Sequence, residues 1–232
     1  MQSRGDVIFE LFFLKKIGYI VLYFLDIYCL KTQNNQRSFG MMLMKIEQIF
    51  REFERGLENE YYVELAKEEV MTVPALVEIF LDDDYANSLW AQQVLESISK
   101  ENPKILYPFF EYIVKGLDNK NSFLAWNTWK ILAKLLSVDS DNKFELVKER
   151  FYNALLSHNL PEFSIACDCA VFVFYSKPNE QKKLLDIIKK FSEHKFYLGD
   201  AELKKSSELA EEKAQIFLER IMSDSAENNN VL

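Results

Sequence analysis

The sequence predicts an all-α fold of stacked antiparallel helix pairs, and three observations carry that prediction. One segment repeats at a fixed spacing, apolar residues recur at helical intervals, and turn-forming residues are scarce. Six Gly and five Pro in 232 residues are too few for the tight turns of an all-β chain or for a disordered linker. Hydrophobic residues make up 49% of the chain, enough for a substantial core.

The repeat emerges at a shift of 34 residues. Pro74 falls on Pro108, each opening an apolar run, PALVEIF against PFFEYIV. Asn87-Ser88 falls on Asn121-Ser122, Ala91 on Ala125, Leu95 on Trp129 and Ile98 on Leu132. A shift of 41 gives a third copy, with Phe110 on Phe151, Ile113 on Ala154, Val114 on Leu155, Ala125 on Ala166 and Leu132 on Val173. The extra residues fall in the polar stretch 137–143 (SVDSDNK), where an insertion costs little.

Each copy reads as helix, short loop, helix. Pro74 and Pro108 suit a first helical turn, where a missing N–H is harmless. Leu76, Ile79 and Phe80 recur at intervals of three and four, as do Phe110, Ile113, Val114 and Leu117. Ser88 and Ser122 are the expected N-caps of the second helices. Ala91, Val94, Leu95 and Ile98 form one apolar face, and Ala125, Thr128, Trp129, Leu132 and Leu136 its counterpart. Ile46, Ile49, Phe50, Phe53 and Leu57 predict an amphipathic helix, followed by another from about Tyr61 to Glu69, as an atypical N-terminal cap. Leu184, Leu185, Ile187, Ile188 and Phe191 mark a helix beyond Lys177-Pro178. The last helix is expected from about Asp200 to Met222, burying Ala210, Ala214, Phe217 and Ile221 and presenting Glu and Lys to solvent. The repeat domain is thus set at residues 41–222, and residues 223–232 are expected to be disordered.

Residues 1–40 form a separate apolar extension. Within VIFELFFLKKIGYIVLYFLDIYCL (7–30), Lys15, Lys16 and Asp26 interrupt the run, leaving too little to span a bilayer. Three readings are open: a membrane or export segment, an extra helix on the array, or sequence upstream of the native start. Met41, Met42 and Met44 motivate the third.

Pro74, Leu76, Ile79, Asn87, Ser88, Ala91, Leu95 and Ile98, with their shifted partners, resemble the HEAT and armadillo-type α-superhelix family over about residues 45–222. The period is close to that of tetratricopeptide repeats too, but their Trp-x-x-Leu-Gly opening and late small residue are missing. The HEAT-like resemblance implies a right-handed α-α superhelix whose inner face is lined by the second helix of each pair. It also implies a protein-binding role. Some bacterial relatives act on alkylated DNA or handle chromophores.

The expected function is therefore a non-enzymatic scaffold that holds a protein or peptide in the concave face. The alternative is an enzyme of the DNA-alkylation-repair or lyase type on the same frame. A formal net charge of −8 disfavours a nucleic-acid partner. The sequence contains no Gly-rich phosphate loop, no His-rich metal motif and no nucleophile elbow, so no cofactor, metal or catalytic residue is predicted. Three cysteines, Cys29, Cys167 and Cys169, give no disulfide framework and suit a reducing, cytoplasmic setting.

The predicted partner contacts lie on outward positions of the second helices: Trp90, Gln93 and Glu96, then Trp126, Asn127, Lys130 and Lys134, then Asp168, Val171 and Tyr175. Trp90 and Trp126 stand out because indoles are over-represented at binding hot spots; packing between repeats is the competing reading. Trp129 is expected in the core. Asp82-Asp83-Asp84 reads as a solubilising turn rather than a cation site, since it lacks the alternating ligands and Gly of a calcium loop. Cys167 and Cys169 point in different directions on a helix, Cys169 inward and Cys167 flanking or exposed. His158 is expected in a loop before Pro161, and His194 at a helix end where its cationic form complements the dipole.

Overall fold

The computed structural model describes residues 44–45, 47–49, 58–69, 71–82, 84–198 and 200–229, and these are mostly helical. The expectations for residues 1–43, Ile46, Phe50, Phe53, Leu57 and Asp83 lie outside the described residues. The chain divides into two compact units, Met1–Tyr112 and Ile113–Leu232.

In the first unit, α1 (Asn59–Glu68), α2 (Thr72–Phe80) and α3 (Tyr85–Glu101) pack against one another, and α4 (Pro103–Leu106) follows. All nine residues of α2 are buried, as expected of a helix that is apolar nearly all round. Pro74 lies in its first turn. Tyr62 of α1 sets its ring edge-on to Trp90 of α3, centroids 4.8 Å apart. Lys45, itself buried, pairs with Glu69 just past the end of α1.

The second unit contains the 3-10 turn Lys115–Asp118, α6 (Ser122–Leu135), α7 (Lys148–Leu155), α8 (Leu160–Ser176), α9 (Gln181–Ile188) and α10 (Ser206–Asn229). The short α5 (Phe110–Val114) precedes them. Helix α8 is central: it packs on α6, α7, α9 and α10. The core is aromatic, with Phe151 edge-on to Trp129 at 5.8 Å and to Phe144 at 6.0 Å. A two-residue antiparallel ladder, β1 (Tyr197–Leu198) with β2 (Ala201–Glu202), turns the chain into α10. Helix α10 continues to Asn229 rather than stopping at Met222, so the expected disorder from residue 223 is replaced by helix over 223–229.

The N-caps of the second helices differ from expectation. Asp84 caps α3, accepting from Asn87 N at 3.0 Å. Asn121 caps α6, accepting from Phe123 N at 2.9 Å, and Asn159 caps α8, accepting from Glu162 N at 3.2 Å. Ser122 is merely the first residue of α6. Ser88 lies inside α3, fully buried, with its hydroxyl 2.8 Å from Asp82 O and 3.3 Å from Ile79 O, so it ties the turn to the end of α2.

The caps are spaced differently from the repeat expected from the sequence. From Asp84 to Asn121 is 37 residues and from Asn121 to Asn159 is 38, in place of 34 and 41. In this register the fully buried faces coincide: Ala91, Val94, Leu95 and Ile98; Thr128, Ile131, Leu132 and Leu135; Ala166, Cys169, Ala170 and Val173. A slip of three residues is nearly one helical turn, so both registers present the same apolar face to a sequence reader.

The stretch 137–143 is not a loose insertion. Asp139 has a fully buried carboxylate that accepts from Lys143 N (2.7 Å), Phe144 N (3.1 Å) and Lys177 Nζ (2.6 Å). It thereby caps the 3-10 helix Lys143–Leu146 and fastens it to the end of α8. Asn142 takes the left-handed conformation (φ 54°), which Asn tolerates better than most residues.

Candidate functional site

The first two turns of α6 place Ser122, Ala125, Trp126 and Trp129 at intervals of three and four, on one face. Along that face runs a cleft of about 160 Å³. Leu117 and Asn119 close it from the preceding turn, Arg150 enters from α7 and Glu162 from the first turn of α8. The small Ala125 leaves the opening between the indoles and the neighbouring hairpin. Trp126 is half-buried, whereas Trp129 is buried and backed by Phe151.

The polar rim has a defined charge arrangement. Arg150 Nη2 donates to Asp118 Oδ1 at 2.9 Å, which compensates its charge. Glu162 Oε2 accepts from Ser157 Oγ at 2.6 Å, and Ser157 Oγ in turn accepts from Asn159 N at 3.1 Å. The cap of α8 therefore fixes the Glu162 carboxylate at the cleft while no cation pairs with it among the described residues.

Of the predicted partner contacts, only Trp126 lines this cleft. Trp90 is buried against Tyr62 in the first unit, and Asn127 is buried with its Nδ2 donating to Phe123 O at 2.8 Å, so neither is a surface contact. Asp168 and Tyr175 face α10: Lys213 Nζ lies 3.3 Å from Asp168 Oδ1, and the Tyr175 hydroxyl donates to Ile221 O at 2.9 Å. Val171 is half-buried on the same helix. Gln93 is exposed and Glu96, Lys130 and Lys134 are half-buried, outside the cleft. Sequence reading missed Arg150 and Glu162; Trp129 is buried, as expected, and its edge also lines the cleft. The Trp126/Trp129 spacing and the Asn159-x-x-Glu162 cap were legible signals, but which hairpin faces they meet was not.

A second cluster joins the chain's two histidines. His158 and His194 stack with ring centroids 5.2 Å apart and planes 15° from parallel. Each is anchored on the other's segment: His158 Nδ1 to Lys195 O at 2.7 Å, His194 Nε2 to Ser157 O at 2.8 Å. A carbonyl only accepts, so both of these nitrogens carry protons. Phe163 stacks on the other side of His194 at 4.9 Å, and Tyr197 meets His158 edge-on. Burial pushes the His194 imidazole below its usual value; its bond to Ser157 O opposes the shift and the neighbouring His158 adds to it. The expected cationic His194 at a helix end is thus replaced by a ring held toward the neutral form.

Cys167 and Cys169 are both buried and neither is in a disulfide, so Cys167 is not the flanking or exposed thiol expected; burial pushes its thiol pKa up. Asp84 of the acidic turn serves as a helix cap. Among the described residues no group of three His, Cys, Asp or Glu is placed to hold a metal ion, and no helix is long and apolar enough to cross a membrane.

The chain matches no protein-family model, and no curated protein and no solved structure is significantly similar to it.

Proposed function

We propose that this chain is a non-enzymatic scaffold of the HEAT-like α-α superhelix class, which binds a protein or peptide partner through the cleft beside α6. The observation that supports this most is Trp126. It is half-exposed at the mouth of a cleft with a buried indole as its floor and an Arg and a Glu on its rim, the composition of an interface hot spot. At about 160 Å³ the cleft is sized for one side chain, below the roughly 300–1,000 Å³ of a cofactor or drug-like ligand. The helical hairpins provide the rigid support such a contact needs, and thiols at Cys167 and Cys169 that form no disulfide suit a reducing, cytoplasmic setting.

A photo-crosslinking residue at position 126, in cells making the full chain, tests the reading. It should yield one discrete adduct that the same residue at exposed Leu146 does not. Equal adduct patterns at the two positions would refute it.

The enzyme alternative draws on the same cleft, because indoles beside a carboxylate are parts that an enzyme for alkylated bases would use. The net charge of −8 weighs against it. Release of free base from methylated duplex DNA, abolished by Glu162→Gln, would establish it in place of the scaffold.

A further inference from the structure

Resting on the partner-binding reading, the geometry points to a lysine or arginine side chain of the partner as the occupant of the Trp126 cleft. The charge arrangement supports this. Arg150 already pairs with Asp118 at 2.9 Å, which offsets its charge at the rim. Glu162 accepts only the neutral Ser157 hydroxyl on Oε2, and among the described residues its Oε1 has no hydrogen-bond partner. The uncompensated charge at the cleft is therefore negative. Trp126 and Trp129 line the cleft; an indole's π face attracts cations and its apolar body accepts the methylene stem of a long basic side chain. Trp126 is half-exposed and carries no aromatic or cation contact among the described residues. A volume of about 160 Å³ takes one such side chain and no more.

The carboxylate is held ready for this role. Asn159 caps α8 through Glu162 N, and Ser157 pins Oε2, so Oε1 is left to a ligand without rearrangement of the helix end. A partner ammonium or guanidinium would satisfy Oε1 while its stem lay against Trp126. An acidic partner residue would meet Glu162 with no free cation to offset it.

The test is selection of peptides from a displayed random library on the full chain, with each selected peptide measured again on Trp126→Ala and Glu162→Gln. The Gln variant keeps an acceptor for Ser157 and so preserves the helix cap. The expected result is peptides anchored by Lys or Arg that lose binding on Trp126→Ala and weaken about fivefold or more on Glu162→Gln. Replacing that anchor by norleucine should weaken them as much. Peptides that depend on Trp126 but carry an apolar or acidic anchor, or that ignore Glu162→Gln, overturn the cationic occupant and leave the scaffold reading standing. Selected peptides indifferent to both substitutions, with both variants folded by circular dichroism, overturn the two together.

Discussion

Replacing Asp139 by Ala should be among the most damaging single changes in the second unit. The carboxylate is fully buried and serves two backbone amides and Lys177 at once. Removing it strands both amides and leaves the largely buried Lys177 ammonium without its anion. Breaking one side of a buried ion pair costs about 3–5 kcal/mol, and each abandoned amide would add about 1–3 if the terms were independent. They are not, because the loop relaxes once its anchor is gone, so a total near ~4 kcal/mol is expected. With a urea m-value of roughly 2 kcal/mol/M, the unfolding midpoint should fall by about 2 M. Tryptophan fluorescence reports the transition, since Trp126 and Trp129 belong to the same unit. Lys177→Met alone should cost less, because the two amides still hold the carboxylate, and the double variant should cost less than the sum of the singles. A midpoint for Asp139→Ala within about 0.5 M of the parent would show that the 137–143 stretch is a passive insertion after all.

Three further outcomes follow from the same contacts. Phe151→Ala should cost about 3–5 kcal/mol by denaturation and should also weaken partner capture, because Trp129 loses the ring behind it. Asp84→Ala should cost about 1 kcal/mol as a lost cap, and Ser88→Ala, in the first turn of α3, about as much by removing the buried hydroxyl that ties that turn to the end of α2; equal thermal melting of Ser88→Ala and the parent would contradict that tie. The His158/His194 stack should make stability depend on pH. Since the folded His194 value is depressed, its contribution is present above the unfolded imidazole value of about 6.5 and is lost as pH falls through the folded value. Amide exchange of residues 194–198 should accelerate over that window, and His194→Phe, which keeps the stacking on Phe163, should flatten the response.

The helical class was legible because the apolar spacing in residues such as Leu76, Ile79 and Phe80 admits no other regular structure. The register was not, because a three-residue slip leaves the same side of the helix inward; only the caps Asp84, Asn121 and Asn159 break the degeneracy, and a neighbouring Ser competes for that role on sequence alone. Asp139 looked like one polar residue among several in SVDSDNK. Its burial is imposed by Lys177, distant in sequence, which no local pattern reveals. The cleft was half legible. Trp126 stood out by type, but Arg150 and Glu162 are ordinary surface residues until α6 meets the α7–α8 hairpin. For Asp168 and Tyr175 no local pattern signals that α10 folds back beside them, pairing Lys213 with Asp168 and Ile221 O with the Tyr175 hydroxyl.

That last helix has a consequence for self-association. A row of helical hairpins ends in an apolar side onto which an identical molecule can add, and such head-to-tail addition has no natural stopping point. On α8 that side is already taken, with Phe174 against Phe217 and Asp168 clipped by Lys213. What α10 turns outward instead includes Glu211, Glu212, Gln215 and Glu219, beside exposed Leu218 and Arg220. A copy meeting that side finds the α8 face covered and carboxylates in its place, which disfavours stacking there.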